Sequence, residues 1–559
     1  MSAAPALTNQ TSSRPRVASA WLWFFGAVLI ACSLIFLVMS RQWPMVGDAA
    51  LLRYTVFLIR HGWAPYRDFV DINMPGAYWA TAFGMNLADS ANVSWRIFDL
   101  GLIALTGVSY FVIARPYSRF AALFATAMLL LVHGQDGVQQ AGQRDLVIAA
   151  LLVMAVTFLL EAVRRDRWLY LLPFGLAVGA SATIKPTAGP LGVVLLVMAA
   201  THRAGLWGQA GQPRELPHPR GWLRWTMIGI AVMAVPLAAM LLWLGHKHSL
   251  DAWLATQRVL LPYYASLERR PLSFTLMHSI APLLSLVLLW LLCVVLRGPA
   301  WPRFERWLVI VAVLLNLLSF LVQGKALPYQ RYPMLAFLLL LIGLDLTTAW
   351  RASDEMQRKS ARYIALVGLA YGCLVMAPRA LIRIHRFVAK PQEFDAMLAE
   401  DLRHVGGDLN RRVQCIDTIN DCLPTLDTMQ LEPATDVLSD LYLFGPEKQP
   451  AVLRLRQRFL DTVEARPPAA FVVVSGFFLE GVSGYQKLDT WPVFEQWLHA
   501  HYTLAAERTP PHPVRWWGRP LPPAGYRLYV LRPRAAGSEM PSVEGENRPV
   551  NSDLAHFNR

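Results

Sequence analysis

The chain is 559 residues long, 55% hydrophobic and only 16% charged, with a mean hydropathy of +0.35. Soluble domains need more charge than this to cover their surfaces, so the composition excludes an ordinary soluble protein and indicates an integral membrane protein. The 52 Lys and Arg exceed the 38 Asp and Glu, giving +14; in a polytopic chain that excess reflects cationic cytoplasmic loops and is no argument for nucleic acid.

A helix that crosses the hydrocarbon core needs roughly 20 apolar residues, and shorter ones persist only inside a bundle. About eleven runs qualify on that basis. They lie near 21–39, 94–114, 119–132, 146–163, 168–184, 187–201, 224–245, 275–296, 306–322, 332–349 and 362–378, the third and sixth being short. Residues 1–19 read as a cytoplasmic N-terminal tail. The run from Trp21 to Met39 is too long for a signal-peptide core and reads as a retained span. Alternate connections are cationic ("ARPYSR", "RRDR", 203–224, "RGPAWPRFER", "RASDEMQRKSAR") and face the cytoplasm by the positive-inside rule. The other face then receives the loop 40–93, the turn "HGQDGVQQAGQRD", the Lys185-Pro186 break, residues 246–274, "QGKALPYQR" and the C-terminal part. Polar residues without a topological duty converge on that outer face.

In the loop 40–93, the segment from Asp48 to His61 gathers Leu51, Leu52, Thr55, Leu58 and Ile59 on one side of a helix and sets Arg53 and Arg60 on another. Such a helix is expected to lie along the membrane surface with its charges at headgroup depth. Asp48 reads first as the N-cap of this helix, a reading compatible with a catalytic carboxylate, since a capped aspartate stays ionised and fixed. "PYRDFVDINMPG" adds Asp68 and Asp71 before Pro75-Gly76; alone it could be a turn with solvated acids.

Farther along, Arg144-Asp145 reads as an adjacent ion pair at a span entrance, with Arg144 also open to a binding role, and Lys185 lies deep between two short apolar runs, where a charge is costly and needs a partner. Lys325 and Arg331 sit at outer span ends, where snorkelling competes with a binding role. Tyr329, Gln330 and Tyr332 could border a pocket or belong to an interfacial aromatic belt. His133 and Asp136 specify no metal site. Three outer aspartates are compatible with a divalent cation, but no ligand spacing names one, so the metal is unknown.

From about 379 to 533 the hydropathy falls. "RVQCIDTI", "AAFVVVSGF" and "YRLYVLRP" read as strands and 453–464 and 493–502 as helices, giving a small α/β domain. Cys415 and Cys422 are close enough for a disulfide in an oxidising compartment, or for two free thiols. Residues 534–559 read as a disordered tail. The expected architecture is therefore mainly α, a polytopic membrane helix bundle (20–378) with a C-terminal extracytoplasmic α/β domain.

"GD" followed by an amphipathic segment and then "PYRDF.D...PG" resembles the first outer loop of the GT-C glycosyltransferases, which include protein mannosyltransferases and aminoarabinose transferases of lipid A. "GQRDLVIAALLVMAV", "ATIKPTAGPL" and "QGKALPYQRYPML" resemble later parts of that family in the same order, over about the first 380 residues. Where many relatives carry a lysine in this loop, the chain has Asn73 and Met74. The resemblance implies transfer of a sugar from a polyprenyl-phosphate donor to a lipid, glycan or protein acceptor on the outer side of a bacterial inner membrane, generally with inversion. It implies Asp48 as general base and Asp71 as second acid. Lys185, Lys325, Arg331, Arg53 and Arg144 become candidates for the donor phosphate, and Asp68, Asn73, Tyr329 and Gln330 for the sugar or acceptor pocket. The alternatives are a secondary transporter, which would show repeated halves and midplane sites, or a non-catalytic polytopic membrane protein.

Overall fold

The computed structural model describes residues 15–533 apart from 206–218, 268, 298–301, 357–358, 387–390, 419–420, 446–448, 477–483, 513, 517–518 and 522–523. The predicted tail 534–559 lies outside the described residues. The first half of the bundle comprises α1 (Pro15–Met39), α2 (Asp48–Arg60), α3 (Pro75–Met85), α4 (Ala91–Ala114), α5 (Arg119–Asp136), α6 (Arg144–Arg165), α7 (Leu171–Ile184) and α8 (Ala188–Arg203). The second comprises α9 (Pro219–His246), α10 (Leu250–Ala255), α11 (Leu261–Ser266), α12 (Leu272–Ile280), α13 (Leu284–Arg297), α14 (Arg303–Gln323), α15 (Tyr332–Met356), α16 (Lys359–Tyr371) and α17 (Ala377–Arg386).

Six helices among the described residues are long and apolar enough to cross a bilayer, or seven if α12 and α13, bent by 78°, form one broken span. Three more apolar helices, Trp23–Met39, Trp168–Ile184 and Ala188–Arg203, are shorter. The short run expected near 119–132 is α5, whose end carries His133 and Asp136, both buried. Such a helix keeps its polar end only because neighbouring helices supply partners.

The C-terminal part contains α18 (Pro391–Val405), β1 (Val413–Ile416), α19 (Cys422–Thr428), α20 (Pro450–Ala465), β2 (Ala470–Val474), α21 (Pro492–His501), β3 (Tyr502–Arg508), β4 (Val514–Trp516), β5 (Arg519–Leu521) and β6 (Tyr526–Leu531). One sheet has the order β1-β2-β6-β3: β1 and β2 run parallel, and β6 is antiparallel to both β2 and β3. β1 and β2 are buried throughout, as expected of strands covered on both faces. Cys415 and Cys422 are joined by a disulfide, which closes a short loop between β1 and α19.

Helix α2 does not lie free on a membrane surface. Ala49, Ala50, Leu52 and Val56 enter the core of the bundle, while Tyr54, Phe57 and Leu58 enter a second core built with Phe394, Leu398, Leu423, Leu426 and Val472. The amphipathic pattern is real, but the surface that covers its outer face is the C-terminal part of the same chain. The Tyr54 hydroxyl donates to the Leu431 carbonyl at 3.0 Å, Trp63 Nε1 to Glu432 at 2.9 Å, and the Val70 amide to the Asp436 carbonyl at 2.8 Å. The first loop and the C-terminal part therefore form one packed body above the bundle.

Candidate active site

Between the bundle and the C-terminal part lies a cavity of about 500 Å³, the size of a site for a small ligand. Its walls bring together segments far apart in sequence: the start of α2, the turn before α3, the start of α6, the α7–α8 break, the 257–269 segment, the α14–α15 connection and the loops around Thr418 and Ser439.

Asp48 is the first residue of α2. The N-cap is Gly47, with φ 60°, and its neighbour's carboxylate is left free to point elsewhere, so the predicted N-cap role for Asp48 is corrected. Its Oδ2 accepts from Arg144 Nη2 at 3.2 Å. Arg144 also donates to Asn73 Oδ1, and its Nε has no hydrogen-bond partner among the described residues. Arg144 and Asp145 are not paired with each other: Asp145 accepts from Lys185 across the cavity floor. Burial, with help from Arg144, lowers the Lys185 pKa, and Asp145 acts against both. Lys185 is held in place because Gly76, at the start of α3, lets the α3 turn press against Thr183 and Ile184, where a side chain would collide with the backbone.

Asp71 faces the cavity, but its lone pairs are already used. It accepts from the amides of Ile72 (2.7 Å) and Asn73 (3.1 Å), from Asn73 Nδ2, and from the Tyr78 hydroxyl at 2.9 Å. A carboxylate offers about four lone-pair sites, so Asp71 serves its own turn and is poorly placed as a second acid. Asp68 is absent from the lining. It binds Arg67 at 2.8 Å and the Ala64 amide at 2.7 Å, an arrangement internal to the loop.

Two predicted phosphate ligands also lie elsewhere. Arg53 forms an ion pair with Asp427 of α19 at 2.6 Å, on the face of α2 that meets the C-terminal part. Arg331, buried, is bidentate to Asp136 (2.6 and 2.8 Å) and donates to the His278 carbonyl at 2.9 Å; it fastens the start of α15 to α5. Lys325, Tyr329 and Gln330 do line the cavity. The Lys325 ammonium sits over the Tyr264 ring, 3.0 Å from its centroid.

Several lining residues were not anticipated: Gln257, Tyr264, Arg269, Gln323, Thr418, Ser439 and Tyr442. Gln257 Nε2 and Gln330 Oε1 have no hydrogen-bond partner among the described residues, so both can serve a ligand's hydroxyls. Burial, reinforced by Asp48, pushes the Tyr264 phenol up to about 12, and burial raises the Tyr442 phenol well above its ordinary value. Among the described residues the lining contains neither histidine nor cysteine. Of the carboxylates in the described lining, Asp71 is saturated, Asp145 is bound to Lys185, and Asp48, paired with Arg144, has its side chain 23% exposed. Among the described residues no group of three or more His, Cys, Asp or Glu is placed to hold a metal ion.

Residues 73–210 match the family model of dolichyl-phosphate-mannose-protein mannosyltransferases, a stretch that includes Asn73, Arg144, Asp145 and Lys185. The structure is similar to ArnT from Cupriavidus metallidurans bound to undecaprenyl phosphate, with a TM-score of 0.57 and 13% identity over 91% of this chain and 98% of that one. The chain shares the fold of this ArnT. Similarity to the same ArnT in its apo state gives a TM-score of 0.55 and 14% identity over 92% and 98% of the two chains. The archaeal oligosaccharyltransferase AglB from Archaeoglobus fulgidus, in complex with an inhibitory peptide and a dolichol-phosphate, is more distant, with a TM-score of 0.47 and 11% identity over 81% and 69%. No curated protein sequence matches the chain. The long apolar helices make the chain an integral membrane protein.

Proposed function

We propose that this GT-C protein is a glycosyltransferase that moves a sugar from a polyprenyl-phosphate donor to a hydroxyl-bearing lipid, glycan or protein. The observation that carries this reading is the Asp48–Arg144 pair at the wall of a large cavity that also gathers Lys185, Arg269 and Lys325. One ArnT structure with this fold holds undecaprenyl phosphate, which favours a lipid-phosphate donor here.

In the proposed reaction the acceptor oxygen forms a bond to the anomeric carbon while the bond from that carbon to the phosphate oxygen breaks. The acceptor proton passes to Asp48, and the bonding pair leaves on the phosphate. Attack opposite the leaving group inverts the anomeric centre. Arg144 has donors left over after Asp48 and Asn73, and with Lys185 and Lys325 it meets the charge that grows on the phosphate. Tyr329, Gln330 and Gln257 border the sugar, and Thr418 and Ser439 face the acceptor. Asp71 shapes the turn that carries Asn73.

The same reading sets residues 20–378 as the catalytic membrane domain, with about eleven spans, and 379–533 as an extracytoplasmic domain in a bacterial inner membrane. Reporter fusions after Arg379 should read as extracytoplasmic; a cytoplasmic signal would overturn this topology. For the chemistry, membrane vesicles carrying Asp48→Asn should transfer labelled sugar from polyprenyl phosphate about 1,000-fold more slowly than wild type. Transfer at the wild-type rate would sink the assignment of the base. Solute uptake by liposomes without sugar transfer would instead support a transporter.

A further inference from the structure

The most heavily buried ionic cluster of the bundle lies outside the cavity. Asp99, in the middle of α4 and 0% exposed, is held by Arg96 and by His133 Nε2 at 3.2 Å. Arg96 reaches on to the Ser40 hydroxyl, and His133 Nδ1 lies 2.8 Å from the Tyr332 hydroxyl. Charges inside a membrane bundle are expensive to bury, and none of these side chains faces the cavity. The cluster's remaining acceptor shows what it does. Asp99 Oδ1 accepts the Gly142 amide at 2.7 Å, two residues before Arg144.

A second bond from α4 reaches the same turn, since Trp95 Nε1 donates to the Ala141 carbonyl at 3.0 Å. Gly142 has φ +62°, and any side chain there would collide with the Trp95 ring. The turn is thus fixed by two hydrogen bonds and by a packing contact only glycine allows. It must be fixed, because Arg144 opens α6, where a cation opposes the helix dipole. Left to local preference, that side chain would turn away from the helix start.

We infer that Asp99 and Trp95 are positioning residues that set Arg144 on the donor phosphate through the 141–144 turn, an inference that rests on the proposed lipid-phosphate donor. Neither touches substrate. Their effect on the ligand runs through one guanidinium, and a group that merely supports the fold would not show that dependence.

The test uses the full-length protein in nanodiscs, with undecaprenyl phosphate as the probe and its affinity as the readout. Trp95→Phe, Asp99→Asn and Gly142→Ala are measured alone and combined with Arg144→Ala, alongside thermal unfolding. Alone, each should weaken binding about tenfold; in the Arg144→Ala background each should cost less than about twofold more, because coupled residues are not additive. Full additive losses in that background, or no loss from Trp95→Phe and Gly142→Ala alone, would overturn the inference. If Asp99→Asn fails to fold, those two variants decide. Should Arg144→Ala itself bind like wild type, the donor-phosphate reading falls first and takes this inference with it.

Discussion

The two ends of α6 carry the same residue types to different effect. At its C-terminal end Arg164 grips Glu305 with two bonds (3.0 and 2.6 Å), donates to the carbonyls of Val112 and Ile113, and shares Glu161 with Arg115 and Arg165. Cations there favour the helix dipole, and their donors are taken up by Glu161 on the same helix and by Glu305 and carbonyls elsewhere in the bundle. At the N-terminal end, Arg144 is unfavourable for the dipole, has donors to spare and borders a cavity. An ion pair that satisfies itself holds the fold together; one set against local preference beside open space is positioned for a ligand.

The sharpest way to break this contrast is to truncate both arginines. Arg144→Ala should weaken undecaprenyl phosphate binding by about 10- to 100-fold, the worth of charge-assisted hydrogen bonds, with little change in thermal unfolding. Arg164→Ala should leave that affinity intact and cost about 3 kcal/mol of stability, because Glu305 is left partly buried without its partner. If the two variants behave alike in both measurements, the distinction is wrong. A smaller effect is expected from Lys185→Met, about fivefold to tenfold in affinity, since loss of the ammonium also leaves Asp145 uncompensated.

The smallest effect sharpens the comparison with the C-terminal part, where acids lie without enough cations. Burial, then Asp395 and Asp417, pushes Asp421 up to about 8, and burial pushes Asp395 up to about 6. Both folded-state values exceed the unfolded one. Their contribution is therefore fully present below about pH 4 and is lost as pH rises through about 6 and about 8. Asp421→Asn should melt close to wild type at pH 4 and a few degrees above it at pH 9. A gap that does not widen with pH would show that the carboxyl ionises freely in the folded protein.

Much of the bundle could be read from sequence, because apolar length is a local property. The convergence of Asp48, Arg144, Lys185, Lys325 and Tyr329 was also legible, since their loops alternate with the cationic ones, whereas Asp145 read as the partner of Arg144 and is instead the partner of Lys185. Partnership was not. Arg144 meets Asp48 across 96 residues of chain, and Arg53 looked like a lipid-facing cation because amphipathicity reveals a covered face without revealing the cover. β3 was missed because its residues are mostly exposed and lack a clean alternation. Asp99 had a signal that went unused: an aspartate inside an apolar span seldom lies there without a structural or chemical task. Tyr264, Arg269, Thr418 and Ser439 carried no local mark, since only the packed structure brings their segments to the cavity.

Val70 and Val437 form a parallel bridge, and Arg53, Tyr54 and Trp63 bond to residues between 427 and 432. Those stitches bear on how this protein could be rebuilt. A chimera that exchanged residues 379–533 alone would sever every one of them and leave the helix carrying Asp48 without its upper packing. The transplantable unit is the C-terminal part together with residues 48–74, so any shift in acceptor preference should travel with both segments or with neither.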